Sequence, residues 1–357
     1  MPGLRLLILL ALLSMLSISA TAQQQQEDSL TFEYFPFAMY DTDVGVGAGV
    51  KTVLRHGLGL RESFDLLLFA SSKGERLVRL GISWPDAELR QGSTYDIALD
   101  LLFDYDKMIH TTYYGIGPGA RFEDREVYTS EPILLRAGLS RGFTAEMVGT
   151  VQAKFERIWS YGFAGDSRLR DAARNASTSD QFSLMAQWRY DTRNSVLHTS
   201  RGMVIQMELE QALDVGAHAG EWTRVGALAQ YYTMLASTVL AGRAILQHME
   251  GEDIPVQQLL SIGGNSTVRG LPDNRFLDQS SLVVNVEWRV PLWWKFGAIL
   301  GVDAGAVERS ADRLPAARWN VTPVAGLRLA FETFVVRGDV GWSPDAVGVY
   351  LNFGQVF

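Results

Sequence analysis

The stretch Ser281–Val290 reads SLVVNVEWRV and alternates between two kinds of side chain. One face carries Leu282, Val284, Val286, Trp288 and Val290, and the other carries Ser281, Val283, Asn285, Glu287 and Arg289. Such a period of two predicts a β-strand with one apolar and one polar face. The stretch Gly297–Ala306 has the same character, with Asp303 opposite Ala298, Leu300, Val302 and Ala304. We therefore predict two adjacent strands whose acidic residues point to the same side.

Strand-like segments of this kind follow one another along the chain, with hardly a helical stretch between them. Gly202–Gln211 and Thr322–Phe331 show the two faces well. About 16 such segments fit between Thr31 and Phe357, an even number that is typical of bacterial outer-membrane barrels. The sequence thus predicts an all-β fold, a transmembrane antiparallel β-barrel. A soluble sandwich with one buried face per strand is the alternative.

The start of the chain has the features of an export signal. Met1–Ala22 contains a basic residue, the apolar run Leu6–Ile18 and an A-x-A site at Ala20–Ala22. A membrane anchor helix is the alternative, but the run is short for crossing a bilayer. Residues 23–30 form a short polar lead, and residues 31–357 form the predicted barrel. The chain has no Cys, so we expect neither a lipid-modified cysteine nor a disulfide.

Composition and motifs argue against several classes of function. The net charge of −8 gives no basic surface for nucleic acid. The five His residues lie in separate segments without the spacing of metal ligands, and no G-x-S-x-G motif occurs. We predict no enzymatic activity, no cofactor and no metal. A hydrolase at the barrel rim is the alternative, and His110 with Asp104 and Asp106 is its only candidate cluster.

The connections between predicted strands differ in length at the two ends of the barrel. If the first strand starts on the periplasmic side, the outside links include Asp106–Glu126, Tyr161–Asp180 and His248–Ser280. The inside links include Ser140–Gly142, which precedes a strand at Phe143–Ser160, and also Ala236–Ser237, Pro291–Lys295 and the longer Asp191–Arg201. Long outer loops and short periplasmic turns are typical of outer-membrane barrels. The link His248–Ser280 is therefore predicted to be extracellular.

That extracellular link contains Val268-Arg269-Gly270-Leu271 within a glycine-rich stretch. Arg269 is a planar donor of five hydrogen bonds that always carries charge. If the loop folds into the lumen, Arg269 could reach Glu287 and Asp303, because both acids point inward from adjacent strands. Charge-assisted bonds of this kind would pin the loop inside the barrel. The alternative is three unrelated charges, each solvated in a wet lumen.

The last predicted strand, Val347–Phe357, would close the barrel against the first. Its lipid-facing side would carry Val347, Val349, Leu351, Phe353 and Phe357. An aromatic residue at the end of such a strand is the usual signal for insertion of outer-membrane barrels, and we assign this role to Phe357. Pro36 in the first strand and Gly348 and Gly354 in the last predict weak pairing at this seam, or else ordinary adjustments of edge strands.

Four motifs in this order resemble the BamA/TamA-type bacterial surface-antigen superfamily. They are the loop tip Val268-Arg269-Gly270, the acidic strand around Glu287, the strand Val302-Asp303-Ala304-Gly305, and the turn Tyr190-Asp191-Thr192-Arg193-Asn194 followed by Ser200-Arg201-Gly202. Leu271 replaces the aromatic residue usual after the loop tip, and the proline usual in the turn is missing. The resemblance spans the predicted mature chain.

The resemblance implies a barrel that inserts proteins into the outer membrane or translocates them across it. It implies structural roles for Val268 and Gly270 in the loop and for Asp191, Arg193 and Gly202 in the turn. It also implies outer-membrane lipid and unfolded protein clients as partners. Residues 23–30 are too short for the family's polypeptide-transport-associated (POTRA) repeats, so we expect a separate periplasmic partner to supply that function. A passive pore or structural barrel without a client is the alternative.

Overall fold

The computed structural model of the chain describes residues 29–172, 176–215, 218–252, 254–332 and 334–357. The predicted export signal Met1–Ala22 lies outside the described residues, as does most of the polar lead. Within the described ranges the chain forms 18 strands: β1 Thr31–Asp41, β2 Gly45–Arg55, β3 Ser63–Ser71, β4 Arg76–Trp84, β5 Tyr95–Tyr113, β6 Glu126–Gly142, β7 Met147–Tyr161, β8 Thr178–Asp191, β9 Gly202–Leu213, β10 Glu221–Leu235, β11 Thr238–Glu252, β12 Leu260–Ile262, β13 Phe276–Asp278, β14 Ser280–Pro291, β15 Phe296–Glu308, β16 Asn320–Ala330, β17 Val335–Trp342 and β18 Val347–Phe353.

Sixteen of these described strands close into one antiparallel barrel, in which each strand pairs with its sequence neighbour. β11 pairs with β14, and β1 pairs with β18 to close the ring. The remaining two, β12 and β13, form a small separate sheet within the link between β11 and β14. The predicted all-β, 16-stranded barrel is therefore confirmed, and the sandwich alternative is wrong.

Side chains alternate between the two faces of the wall as the sequence pattern requires. In β14, Val286 and Trp288 are exposed on the outside, whereas Asn285 and Glu287 are fully buried on the inside. Large exposed apolar residues recur on the outer face of the other strands. An apolar outer surface and a polar lumen suit a barrel in a bilayer, because the neighbouring strands satisfy each other's main-chain groups and large apolar side chains face the hydrocarbon.

The two ends of the barrel differ in their connections. The long links β5–β6, β7–β8 and β11–β14 share one end, here called the loop end, and the tight β10–β11 and β14–β15 turns share the other, here called the turn end. Several predicted boundaries were wrong by a few residues: β7 begins at Met147 rather than at Phe143, β5 extends to Tyr113, and β11 extends to Glu252. Short helices occur at Ala87–Arg90 and Arg168–Ala172. Each helix in the described residues is too short or too polar to cross a membrane.

The seam between β1 and β18 is the shortest ladder of the barrel. Paired residues are Tyr40 with Leu351 and Asp41 with Tyr350, whereas β1 pairs with β2 along its whole length. Thr42 adds bonds to Val349 at the loop end, where its main-chain nitrogen donates to the Val349 oxygen at 3.1 Å. Over the described residues, the β1 edge from 32 to 39 has no partner strand on the β18 side.

The final residues do not continue β18, contrary to the prediction for Phe357. Val347, Val349, Leu351 and Phe353 face outward as predicted, but the strand ends at Phe353. Gly354 adopts a φ of 83°, which turns the main chain out of the wall. Phe357 is buried inside the barrel instead of facing lipid. Alternation fails here because one residue with positive φ changes the direction of the chain.

Candidate functional site

The link from β11 to β14 folds into the lumen, and its residues 254–279 are here called the lumen loop. An apolar cluster seats it against the wall, and its members are Ile262, Val268, Leu271, Phe276, Val283 and Val307. Leu271 is buried in this cluster although it stands where the resemblance leads us to expect an aromatic residue. The loop therefore has its own core, which fixes the position of the Val268-Arg269-Gly270 tip.

The structure brings the predicted residues Arg269, Glu287 and Asp303 together in the lumen. The Arg269 Nε donates to Asp303 Oδ2 at 2.7 Å, and its Nη2 donates to Asp303 Oδ1 at 2.9 Å. Arg269 Nη1 donates to Glu287 Oε1 at 2.8 Å, and the Arg269 main-chain nitrogen donates to Asp303 Oδ2 at 3.0 Å. All three side chains have zero solvent exposure. Asp303 thus receives the forked, bidentate contact that only arginine can make.

A third acid, Asp339 of β17, completes this cluster and was missed in the sequence. Its Oδ2 accepts from Arg269 Nη1 at 2.8 Å, and Arg328 and Arg337 also bind its carboxylate. The pattern VVRGDVGW of β17 does place Asp339 on the inward face, but nothing in the sequence shows which loop residue it meets. We call Arg269, Glu287, Asp303 and Asp339 the latch, since they join the lumen loop to β14, β15 and β17.

The latch lies in an arginine-rich environment. Among the described residues, Arg269 and three further arginines, Arg289, Arg328 and Arg337, bind its three carboxylates, and a fifth, Arg243, lies next to them on Asn285. Arg289 binds the second Glu287 oxygen at 2.9 Å, while Arg243 donates to the Asn285 side chain and to the Ser266 main chain. Positive charge therefore exceeds negative charge on this part of the wall.

The loop main chain also touches the strands next to the seam. The Gly270 nitrogen donates to the Tyr350 hydroxyl at 3.1 Å, and Ser343 Oγ donates to the Gly270 oxygen at 2.8 Å. Gly270 has a φ of 99° and lies against Gly341 of β17. Because Tyr350 belongs to β18, the lumen loop bonds directly to one of the two strands that close the barrel.

Arg275 is a second anchor of the lumen loop, near the loop end, and the sequence did not reveal it. Its Nε donates to Asp345 Oδ2 at 2.6 Å, and its Nη1 donates to the Ala120 main-chain oxygen at 2.9 Å. The guanidinium lies over the rings of Phe276 and Tyr114, at 4.2 and 4.9 Å from their centroids. At these distances the negative faces of the two rings attract the Arg275 guanidinium, which is a cation–π interaction.

Asp273 of the lumen loop lies beside the β1–β2 turn. The Thr112 Oγ1 donates to its main-chain oxygen at 2.7 Å, and its own main-chain nitrogen donates to the Asp43 carboxylate. The Asp273 side chain itself is exposed, but the protein packed around it and the neighbouring carboxylates of Asp43 and Asp41 raise its pKa to about 7. The loop therefore contacts the β1–β2 turn as well as β18, so it has contacts on both sides of the seam.

The predicted turn motif closes the β8–β9 turn. Asp191 accepts from the Arg193 main-chain nitrogen at 3.1 Å and from the Arg193 Nη2 at 2.8 Å. Gly202 has a φ of 108°, and a Cβ there would meet the Thr192 oxygen at 2.3 Å. Asn194 and Ser200 bond across the turn in place of the missing proline.

The rim cluster considered for a hydrolase is not assembled. Asp104 instead pairs with Arg79 inside the barrel, whereas His110 is exposed further along β5. No group of metal-ligating side chains occurs in the part of the chain that the structure describes.

Comparison with known proteins identifies the family to which this barrel belongs. Residues 81–331 match the model described as the Omp85 superfamily domain, which covers more than half of the chain. The chain belongs to the Omp85 superfamily. The resemblance drawn from the four motifs is thereby confirmed, and the Omp85 fold makes this an integral outer-membrane protein.

Solved structures agree with this Omp85 fold. BamA from Haemophilus ducreyi lacking POTRA domains 1–3 superposes with a TM-score of 0.67 at 13% identity, over 92% of this chain and 71% of that one. CdiB from Escherichia coli gives 0.64 at 14% identity, over 93% and 63%, and CdiB from Acinetobacter baumannii gives 0.56 at 13%, over 92% and 60%. This chain spans less than two thirds of either CdiB chain. No curated protein sequence matches it.

Proposed function

We propose that this Omp85 barrel inserts polypeptides into the outer membrane or passes them across it. The observation that carries the proposal is the incomplete seam, in which the β1 edge from residue 32 to 39 has no β18 partner. Unpaired N–H and C=O groups on a strand edge bind another extended chain. In hydrocarbon each unsatisfied group costs several kcal/mol, so pairing with an incoming strand is strongly favoured there.

The lumen loop supports this proposal by keeping the wall ordered beside a weak seam. The latch joins the loop to β14, β15 and β17, and Gly270 bonds to Tyr350 of β18. In our proposal these bonds hold the β14–β18 side as one unit while β1 separates from it. Arg269 then has a structural role in insertion or translocation rather than a catalytic one.

A passive pore or a structural barrel is the second candidate function. The lumen loop, with its fully buried latch, occupies the part of the lumen next to β14, β15 and β17, which favours a narrowed barrel over a wide open pore. Conductance in planar bilayers separates the two. A steady, wide conductance of the wild-type protein would favour the pore, whereas a closed baseline that opens in an Arg269→Ala variant would favour the narrowed barrel.

Reconstitution with a reversible seam lock tests the proposed activity. Because the chain has no Cys, the variant Tyr40→Cys/Leu351→Cys places one new thiol on each side of an existing seam pair. In liposomes, the reduced variant should accelerate folding of an unfolded outer-membrane protein, and oxidation should abolish that acceleration. The same sample after reduction is the control. Equal activity in the locked and reduced states would rule out insertion through the seam.

A further inference from the structure

The 354–357 segment turns from β18 into the lumen and reaches the wall formed by β10, β11 and β14. The Gly354 nitrogen still donates to the Val335 oxygen at 2.8 Å, so the departure from the sheet starts immediately after it. Phe357 then packs against Tyr232 and Ala241, which are fully buried on that wall. The segment therefore joins the seam strand to a distant part of the barrel.

Phe357 occupies a defined pocket, here called the aromatic pocket, made of Tyr232, Ala241, Arg243 and Arg289. The Arg243 and Arg289 guanidinium carbons lie 5.1 and 5.2 Å from the centroid of the Phe357 ring, and the Tyr232 ring lies 6.4 Å away. Two cations and one ring around a single aromatic side chain give a favourable electrostatic environment in a site shielded from water.

The same wall binds the peptide oxygens of the segment. Arg289 Nη2 donates to the Phe357 main-chain oxygen at 2.8 Å, and Arg243 Nη1 donates to the Val356 main-chain oxygen at 3.2 Å. Arg328 of β16 adds a bond from its Nε to the side-chain oxygen of Gln355 at 3.0 Å. These arginines belong to the positive excess around the latch, so oxygen acceptors are favoured there. The pocket thus recognises an aromatic side chain together with the main chain that carries it.

The 354–357 segment has an alternative position, paired with the uncovered edge of β1. Tyr40 pairs with Leu351 and Asp41 with Tyr350. Continuing this antiparallel register would set Gln355 beside Pro36 and Phe357 beside Tyr34. Tyr34 and its neighbours form the part of the β1 edge that β18 does not cover, so a straightened segment would lengthen the seam and vacate the aromatic pocket.

We propose that the aromatic pocket is a binding site for an extended peptide with an aromatic side chain, occupied in cis by Phe357. A peptide supplied in trans takes the pocket when the 354–357 segment returns to the β1 edge. Only the identification of that peptide as a segment of an unfolded client rests on the proposed function. The pocket and its exchange do not depend on it.

Peptide binding to the full chain, folded in detergent, tests the pocket. The probe is a fluorescent NFGQVF peptide, amidated, with the sequence of residues 352–357. We expect Phe357→Ala to bind it on the order of ten-fold more tightly than the wild type, whose pocket is self-occupied. A second peptide, NFGQVA, should bind on the order of ten-fold more weakly than NFGQVF. Equal affinity of wild type and Phe357→Ala, or of the two peptides, would overturn the proposal.

Pocket variants and a seam cross-link complete the test. On the Phe357→Ala background, Tyr232→Ala should lose peptide binding and Tyr232→Phe should keep it, with folding of both checked by heat-modified gel mobility. In Pro36→Cys/Gln355→Cys, saturating NFGQVF should raise the yield of the disulfide, because the displaced segment pairs with β1. An unchanged yield at saturation would refute the exchange. None of these readouts requires client insertion, so they can fail or succeed independently of the proposed function.

Discussion

Gly270 of the lumen loop packs main chain to main chain against Gly341 of β17. A Cβ on Gly341 would lie 2.5 Å from the Arg269 carbonyl, and a Cβ on Gly270 would lie 2.7 Å from the Gly341 carbonyl carbon. Neither position has space for a methyl group. This contact sets the depth at which Arg269 enters the barrel. The bonds of the latch therefore depend on it.

Substituting Gly341→Ala should displace the loop. The added methyl group has only main chain to push against, so we expect a loss of about 1–3 kcal/mol of stability, as for overpacked cores. Gly338→Ala is the matched control on the same strand, because the nearest atom to a Cβ there lies 3.9 Å away. Urea titration followed by heat-modified gel mobility measures both. Equal midpoints for the two variants would show that the loop adjusts freely.

Removal of Arg269 should cost more than removal of an exposed arginine. Arg269→Ala leaves three buried carboxylates without their shared partner, a change worth about 3–5 kcal/mol. Arg269→Lys keeps the charge but loses the bidentate contact to Asp303, so it should also destabilise the barrel. Arg141→Ala is the control, since Arg141 is mostly exposed in its ion pair with Asp96. Wild-type unfolding midpoints for both Arg269 variants would contradict the latch.

The barrel could be predicted from the sequence because the signal is local. Each wall strand shows its own alternation, so strands such as Ser281–Val290 identify themselves without reference to a partner. The inward direction of Glu287 and Asp303 follows from the same rule. Their contact with Arg269 was conditional on the loop entering the lumen, because alternation says nothing about where a loop folds.

The remaining features of the site depend on contacts between distant segments. Asp339 and Arg275 carry no pattern that distinguishes them from other charged residues, and only the folded loop shows their partners. Phe357 was misplaced because alternation was extended through Gly354, whose positive φ ends the strand. Sequence periodicity therefore predicts the wall well and the contents of the lumen poorly.

Cross-linking should map a gradient along the seam. In the cysteine-free chain, Tyr40→Cys/Leu351→Cys joins paired residues and should form a disulfide readily. Ala38→Cys/Phe353→Cys joins the pair that the continued register would create, and it should react far less in the resting protein. Non-reducing gels of intact membranes measure both yields. High and equal yields for the two cysteine pairs would mean that β1 and β18 are paired along the whole seam.

Arg275→Ala should loosen the loop end without disturbing the latch. The buried guanidinium holds Asp345 at 2.6 Å and the Ala120 main chain at 2.9 Å, so its loss frees the β17–β18 turn and the β5–β6 link together. We expect faster proteolysis of external loops on intact cells. A double-mutant cycle with Asp345→Asn isolates the ion pair. Additive effects of the two substitutions would show that the pair itself contributes nothing.

Loop docking should weaken as the pH rises. The pKa of Asp273 is raised to about 7 in the folded protein, whereas an unfolded aspartate titrates at about 4; because the side chain is exposed, water screens part of this effect and the change in stability is small. Between these two pH values the folded state binds more protons than the unfolded state. The contribution of Asp273 to stability is therefore fully present below a pH of about 4 and is lost as the pH rises through about 7. Protease resistance of the lumen loop should therefore be higher at pH 5 than at pH 8. Asp273→Asn removes the titrating group and should flatten the difference; an unchanged pH dependence in that variant would assign it to other carboxylates.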